Sequence, residues 1–146
     1  MQGRLTIDLA ALADNFRLLK DKVGAACRVA AVVKADSYGL GMAACAEALE
    51  QAGAEEFFVA TLPEAIALRT IINEKSEVFV LGGFDSRYGD IYREENITPV
   101  ISSLEQLAGY IALYDGNSKL PAIVHFDTGM NRLGLRAGEI DVDLLD

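Results

Sequence analysis

The chain predicts a parallel α/β architecture. Short apolar runs rich in Val and Phe alternate with segments of helical period, glycines fall at several of the breaks, and nothing resembles a hairpin signal. Strands joined through helices pair in parallel by right-handed crossovers, so functional groups gather at strand C-termini. The 146 residues suffice for one domain with its own core. Two arrangements fit that length: an open doubly wound sheet of five strands, or the first part of a (β/α)8 barrel, whose closed form needs roughly 250 residues.

Taken in order, Leu5-Thr6-Ile7 predicts a brief strand, and Asp8 then caps a helix whose apolar face is Leu9, Leu12, Phe16, Leu19 and Val23, ended by Gly24. Val29 to Val33 predicts a strand buried on both faces. A glycine-bearing loop follows, and Met42, Cys45 and Leu49 line the next helix up to Gly53. Phe57 to Ala60 repeats the strand, and Thr61-Leu62-Pro63-Glu64 is a capping box with Pro in the first turn of a helix carrying Ala65, Ile66 and Ile72. Val78 to Leu81 is the third run, closed by Gly82-Gly83, with a short helix between Asp85 and Arg93. Ile97 to Ile101 is the fourth, although Pro99 donates nothing to a ladder. Ser103-Leu104-Glu105-Gln106 is a second capping box, and Leu104, Leu107, Ile111 and Tyr114 keep helical spacing until Asp115-Gly116-Asn117. Ala122 to Phe126 is the fifth run. The stretch from Glu139 to Asp146 looks like a helix beginning, which predicts a truncated or fragmentary chain.

Composition narrows the function classes. A 51% hydrophobic content, 24% charged residues and a mean hydropathy of +0.22 belong to a folding sequence. Thirteen basic against 22 acidic residues leave a net charge of −9, whose field repels polyphosphate and anionic bilayers, so neither nucleic acid nor membrane is the expected partner. No apolar run approaches the ~18 residues of a membrane span, and the start lacks a leader pattern, so a cytoplasmic location is expected. Cys27 and Cys45 stand too far apart for a metal motif and read as ordinary small apolar residues; no metal site is expected.

Chemistry concentrates after the first and fifth runs. Val32-Val33-Lys34-Ala35-Asp36-Ser37-Tyr38-Gly39-Leu40-Gly41 sets a lysine at the mouth of an apolar strand, where desolvation favours the neutral amine able to attack a carbonyl. Gly39 and Gly41 allow close backbone approach, Tyr38 adds a hydroxyl, and the helix starting near Gly41 offers N–H groups to a phosphate. The plainer alternative is a strand-to-loop exit with Lys34 bridging Asp36 in solvent. The second cluster, His125-Phe126-Asp127-Thr128-Gly129-Met130-Asn131-Arg132-Leu133-Gly134, offers Arg132, whose guanidinium can clamp a carboxylate or a phenolate oxygen. Its alternative is a turn capped by Asp127 and Thr128 with Arg132 paired on the surface. His125 stands alone and reads as a satisfied core histidine.

The two segments, about ninety residues apart and in this order, resemble alanine racemase, the pyridoxal 5′-phosphate (PLP) enzyme of fold type III. The opening Ile7-Asp8-Leu9-Ala10-Ala11-Leu12 through Asn15 is similar to the start of that family, so the resemblance spans residues 1–146 but only part of the family's length. It implies the first part of a (β/α)8 TIM-type barrel, the N-terminal portion of the PLP-binding domain. Residues 1–8 would be an initial strand pairing with a C-terminal β-domain, and the later barrel units and that domain would lie beyond residue 146.

The resemblance further implies an isomerase interconverting L-alanine and D-alanine for peptidoglycan, with Lys34 as the catalytic, cofactor-bearing base. Tyr38 would contact the cofactor phosphate. Arg132 would bind the substrate carboxylate and the cofactor's phenolic oxygen. The opposite base would come from the partner subunit of a homodimer, so the isolated chain is expected to be inactive. Three positions depart from the family pattern: Leu40 where His is usual, His125 where many members have a lysine, and Ser37 where Ala or Gly is more usual. Other readings are a PLP barrel racemase or decarboxylase acting on another amino acid, and a noncatalytic α/β binding or scaffold domain.

Overall fold

A computed structural model describes residues 3–113, 120–136 and 138–139. They fall in two compact units, one up to Val78 and one from Phe79.

The first unit opens with α1 (Leu9–Val23). Asp8 caps it, its carboxylate accepting from Ala11 N–H at 3.0 Å, and Gly24 closes it at φ 73, donating its N–H to Lys20 O. Strand β1 (Ala31–Val32) pairs in parallel with β2 (Glu56–Val59), Ala31 opposite Phe57 and Val32 opposite Phe58, and Val33 N–H extends the ladder to Phe58 O at 2.9 Å. Between them lie the one-turn segment α2 (Lys34–Gly39) and α3 (Met42–Gln51), and α4 (Leu62–Arg69) follows. The capping box on α4 forms as expected: Thr61 Oγ1 accepts from Glu64 N–H while the Glu64 carboxylate accepts from Thr61 N–H. Phe16, Val33, Cys45, Leu49, Phe57, Val59 and Leu68 form this unit's core.

Strand β3 (Glu77–Val80) begins in the first unit, where Glu77 N–H donates to Glu55 O at 2.8 Å. In the second unit, Asp85 caps a short 3-10 turn (Ser86–Tyr88) leading into α5 (Gly89–Glu94). Strand β4 (Ile97–Ile101) is buried throughout and pairs in parallel with β5 (Ile123–Val124), with α6 (Leu104–Leu113) between them. An aromatic cluster of Phe84, Tyr92 and Tyr110 packs here, with Phe84 and Tyr110 edge to face at 5.5 Å, while Tyr92 donates its hydroxyl to Gly83 O.

Several expectations need adjusting. Leu5–Ile7 has no strand partner among the described residues, because a lone strand has no ladder of its own. The strand at Val29–Val33 is shorter than expected and is not buried on both faces: Ala31 and Val33 are buried but Val32, on the opposite face, is 44% exposed. Cys45 is buried as expected, whereas Cys27 is exposed. Pro99 is fully buried within β4. Ile101 faces β5 through its carbonyl, which accepts from His125 N–H, so Pro99 faces the same side two residues earlier. It precedes the first paired residue, Val100 opposite Ile123, and its missing N–H costs no ladder bond to β5. In the second capping box Ser103 Oγ accepts from Gln106 N–H, but the Gln106 side chain reaches Ser102 N–H instead of returning to Ser103. Tyr114, the break at residues 115–117 and the helix start over 140–146 lie outside the described residues.

Candidate active site

The first site segment is a single turn of left-handed helix, not the open glycine loop that the sequence predicts. Ala35, Asp36, Ser37 and Tyr38 have φ of 51, 53, 52 and 57, and Gly39 continues at 82. Each non-glycine residue held there costs about 1–2 kcal/mol, so the four together store roughly 4–8 kcal/mol that other contacts must offset. The contacts are present. Ser37 N–H donates to Val33 O at 2.9 Å, Gly41 N–H to Asp36 O at 2.9 Å, Met42 N–H to Asp36 Oδ1 at 2.6 Å, and Ala35 N–H to Glu64 Oε1 at 2.9 Å.

This geometry separates the two readings of Lys34. Asp36 is committed to capping α3 and does not bridge Lys34, so the solvent ion pair of the plainer reading is not formed. Lys34 is half-buried at the end of β1, and its amine makes no hydrogen bond or ion pair among the described residues. At the start of α3 one of the N–H groups expected to be free for a phosphate, that of Met42, already holds the Asp36 carboxylate. Tyr38 is 64% exposed. Ser37 is 5% exposed, and its Oγ is buried without a hydrogen-bond partner. The turn thus carries a half-buried amine, a buried hydroxyl and an exposed phenol, a donor set that fits a ligand offering a carbonyl carbon and an anionic group.

Arg132 stands on a closed loop of the second unit. Phe126 and Leu135 form a parallel bridge, with Leu135 N–H donating to His125 O at 2.7 Å and Asp127 N–H to Leu135 O at 2.9 Å. Inside the loop, Asp127 Oδ1 accepts from Gly129 N–H and Asn131 N–H, and these backbone donors hold its carboxyl below the usual carboxylate range. Asp127 therefore caps the turn as the alternative reading expects, but Arg132 is exposed and makes no ion pair among the described residues. Gly134 at φ +110 lets this loop close, since a Cβ there would stand 2.6 Å from Asp127 N. His125 is half-buried, its N–H extending the β4 ladder. Lys34 and Tyr38 thus share one turn of the first unit, and Arg132 is placed by a loop of the second.

Residues 7–145 match the family of the alanine racemase N-terminal domain. The chain belongs to the alanine racemase family. Alanine racemase of Rhizobium meliloti (strain 1021) is 44% identical over 137 residues, covering 94% of this chain and 36% of the relative. That of Brucella ovis is 46% identical over 140 residues, covering 95% and 35%. The chain therefore spans about a third of the length of the curated relatives it matches. Among solved structures, alanine racemase from Bartonella henselae with covalently bound pyridoxal phosphate is similar with a TM-score of 0.83 at 36% identity, over 91% of this chain and 37% of that one. A histidine racemase from Leuconostoc mesenteroides is also similar, with a TM-score of 0.75 at 31% identity, over 86% and 34%. The strands alternating with helices, with β1 parallel to β2 and β4 parallel to β5, are accordingly the first part of a (β/α)8 barrel.

Glu64 is the site residue that sequence reasoning missed in its full role. Its part in the capping box is legible from Thr-x-x-Glu, but its bond to Ala35, 29 residues away, has no local signal.

Proposed function

We propose that this chain is the lysine-bearing part of an alanine racemase, a PLP-dependent isomerase that interconverts L-alanine and D-alanine and supplies D-alanine for peptidoglycan in the cytoplasm. One observation carries the reading: the Lys34 amine sits at the C-terminal end of β1, on a strained turn fixed by backbone hydrogen bonds, with no partner among the described residues. The covalently bound cofactor of the Bartonella henselae relative supports it.

When bound, PLP stabilises negative charge at the substrate's α-carbon. Lys34 would hold the cofactor covalently and then take or return the α-proton on one face. Tyr38 would present its hydroxyl to the phosphate. Arg132 would orient the substrate by pairing its guanidinium with the carboxylate through two parallel hydrogen bonds, and would also meet the cofactor's phenolic oxygen. Exchange on both faces needs a second base, which in the homodimer that the family resemblance implies comes from the partner subunit. The 146-residue chain alone is therefore proposed to be inactive. Leu5–Ile7 is proposed to complete its ladder with a strand of the family's β-domain.

A second substrate reading, another amino acid, draws support from the similar histidine racemase. Both are tested on the natural polypeptide that carries residues 1–146, loaded with PLP in deuterated water, by following deuterium at the α-carbon and inversion of L-alanine and of L-histidine. Alanine inversion that disappears in Lys34→Ala is expected. Inversion of histidine alone overturns the substrate, and activity unchanged in Lys34→Ala overturns the mechanism.

A further inference from the structure

A carboxylate is worth most where several backbone donors converge on it, and the half-buried Glu64 has three. Its Oε2 accepts from Ala60 N–H at 2.7 Å and Thr61 N–H at 3.2 Å, at the exit of β2. Its Oε1 accepts at 2.9 Å from Ala35 N–H, the residue directly after Lys34 at the exit of β1. A capping box needs only the Thr61 bond, so the other two go beyond helix capping. Ala35 is the first residue of the left-handed run, at φ 51, and nothing in an alanine side chain favours that conformation.

We propose that Glu64 is a positioning residue for Lys34: by anchoring Ala35 N–H to the exit of β2, its carboxylate holds the left-handed turn and fixes where the lysine amine stands. This rests on Lys34 being the residue that holds the cofactor. Glu64 itself touches no reacting atom. A glutamine cannot replace it, because the donors approach both oxygens. With only one accepting atom, it keeps two bonds by turning its oxygen to Ala60 and Thr61 N–H, which sets its NH2 against Ala35 N–H. An aspartate keeps the charge in the first turn of α4 but is one methylene too short to span Ala35 and Ala60.

The test compares the natural polypeptide that carries residues 1–146 with its Glu64→Gln, Glu64→Asp and Thr61→Ala variants. Two quantities are read: hydrogen exchange of the Ala35 amide without cofactor, and the share of borohydride-fixed PLP on Lys34 relative to all other lysines by peptide mapping. Losing a hydrogen bond to a charged acceptor is worth about tenfold or more in an equilibrium. Both Glu64 variants are therefore expected to speed Ala35 exchange and to lower the Lys34 share by about that factor. Thr61→Ala removes the cap hydroxyl but leaves the carboxylate, so it should lower the melting temperature and change neither reading. The proposal is overturned if the Glu64 variants label Lys34 as the parent does, or if Thr61→Ala lowers the share equally. It is also overturned if both Glu64 variants unfold, since that marks a purely structural role. A parent chain without preference for Lys34 refutes the cofactor reading itself, and the positioning role falls with it; a preferring parent with insensitive variants leaves that reading standing and removes only the clamp.

Discussion

Replacing Gly134 with alanine should open the loop that carries Arg132. An added Cβ would stand 2.6 Å from Asp127 N, 2.8 Å from the Phe126 carbonyl carbon and 3.1 Å from His125 O, all backbone atoms that no rotamer change can move aside. Relief requires shifting residues 126 and 127 away from 134. That shift strains the two bonds closing the loop, Leu135 N–H to His125 O and Asp127 N–H to Leu135 O. Two such bonds contribute about 1–3 kcal/mol, and an L residue at φ +110 adds about 1–2 kcal/mol, so a loss of roughly 2–5 kcal/mol is expected. Leu135, 1% exposed, is the buried side chain put at risk. Thermal unfolding together with amide exchange at Asp127 and Leu135 reads both effects. A Gly134→Ala chain within about 0.5 kcal/mol of its parent, with both amides equally protected, would refute the close-approach reasoning.

Ser37→Ala should stabilise the chain by about 1 kcal/mol in denaturant unfolding, because it removes a buried hydroxyl without a partner at a position where the family more usually has Ala or Gly; destabilisation by as much would mean that the hydroxyl has an acceptor. Asp36→Ala should cost about 1–2 kcal/mol and expose the Met42 amide to exchange, through loss of the α3 cap and of a residue type that tolerates left-handed backbone, while Asp36→Asn should stay close to the parent. For Asp127 the folded value lies below the ordinary 3.8, so its contribution is complete above that pH and is lost as pH falls through the lowered folded value. Protection of the Gly129 and Asn131 amides, taken against the intrinsic exchange rate at each pH, should be lost only in that acid window, and loss of protection beginning near neutrality would contradict the assignment.

Much of the frame was legible because its signals are local. Asp8 and Gly24 bound α1 since a cap needs only side chains three or four residues away, and Thr61 with Glu64 opens α4 on the same ground. The turn after Lys34 was not legible: its first amide, Ala35 N–H, is held by Glu64 from 29 residues away, and no propensity of Ala, Ser or Tyr announces a left-handed backbone at Ala35–Tyr38. The same holds for the start of α3, where the chain supplies its own anion through Asp36. The burial expected on both faces of the first strand also failed, because apolar composition records what a face can bury and not whether a neighbour covers it, as Val32 shows. Lys34 and Arg132 stood out on residue type and on placement at strand ends, and the resemblance, not periodicity, supplied their roles.

The most direct check on the central claim is where PLP becomes fixed when the natural polypeptide carrying this chain is treated with the cofactor and reduced. The account predicts one stoichiometric adduct on the peptide containing Lys34, absent from Lys34→Ala. Adducts shared among other lysines, with none favoured and no change in that variant, would contradict it.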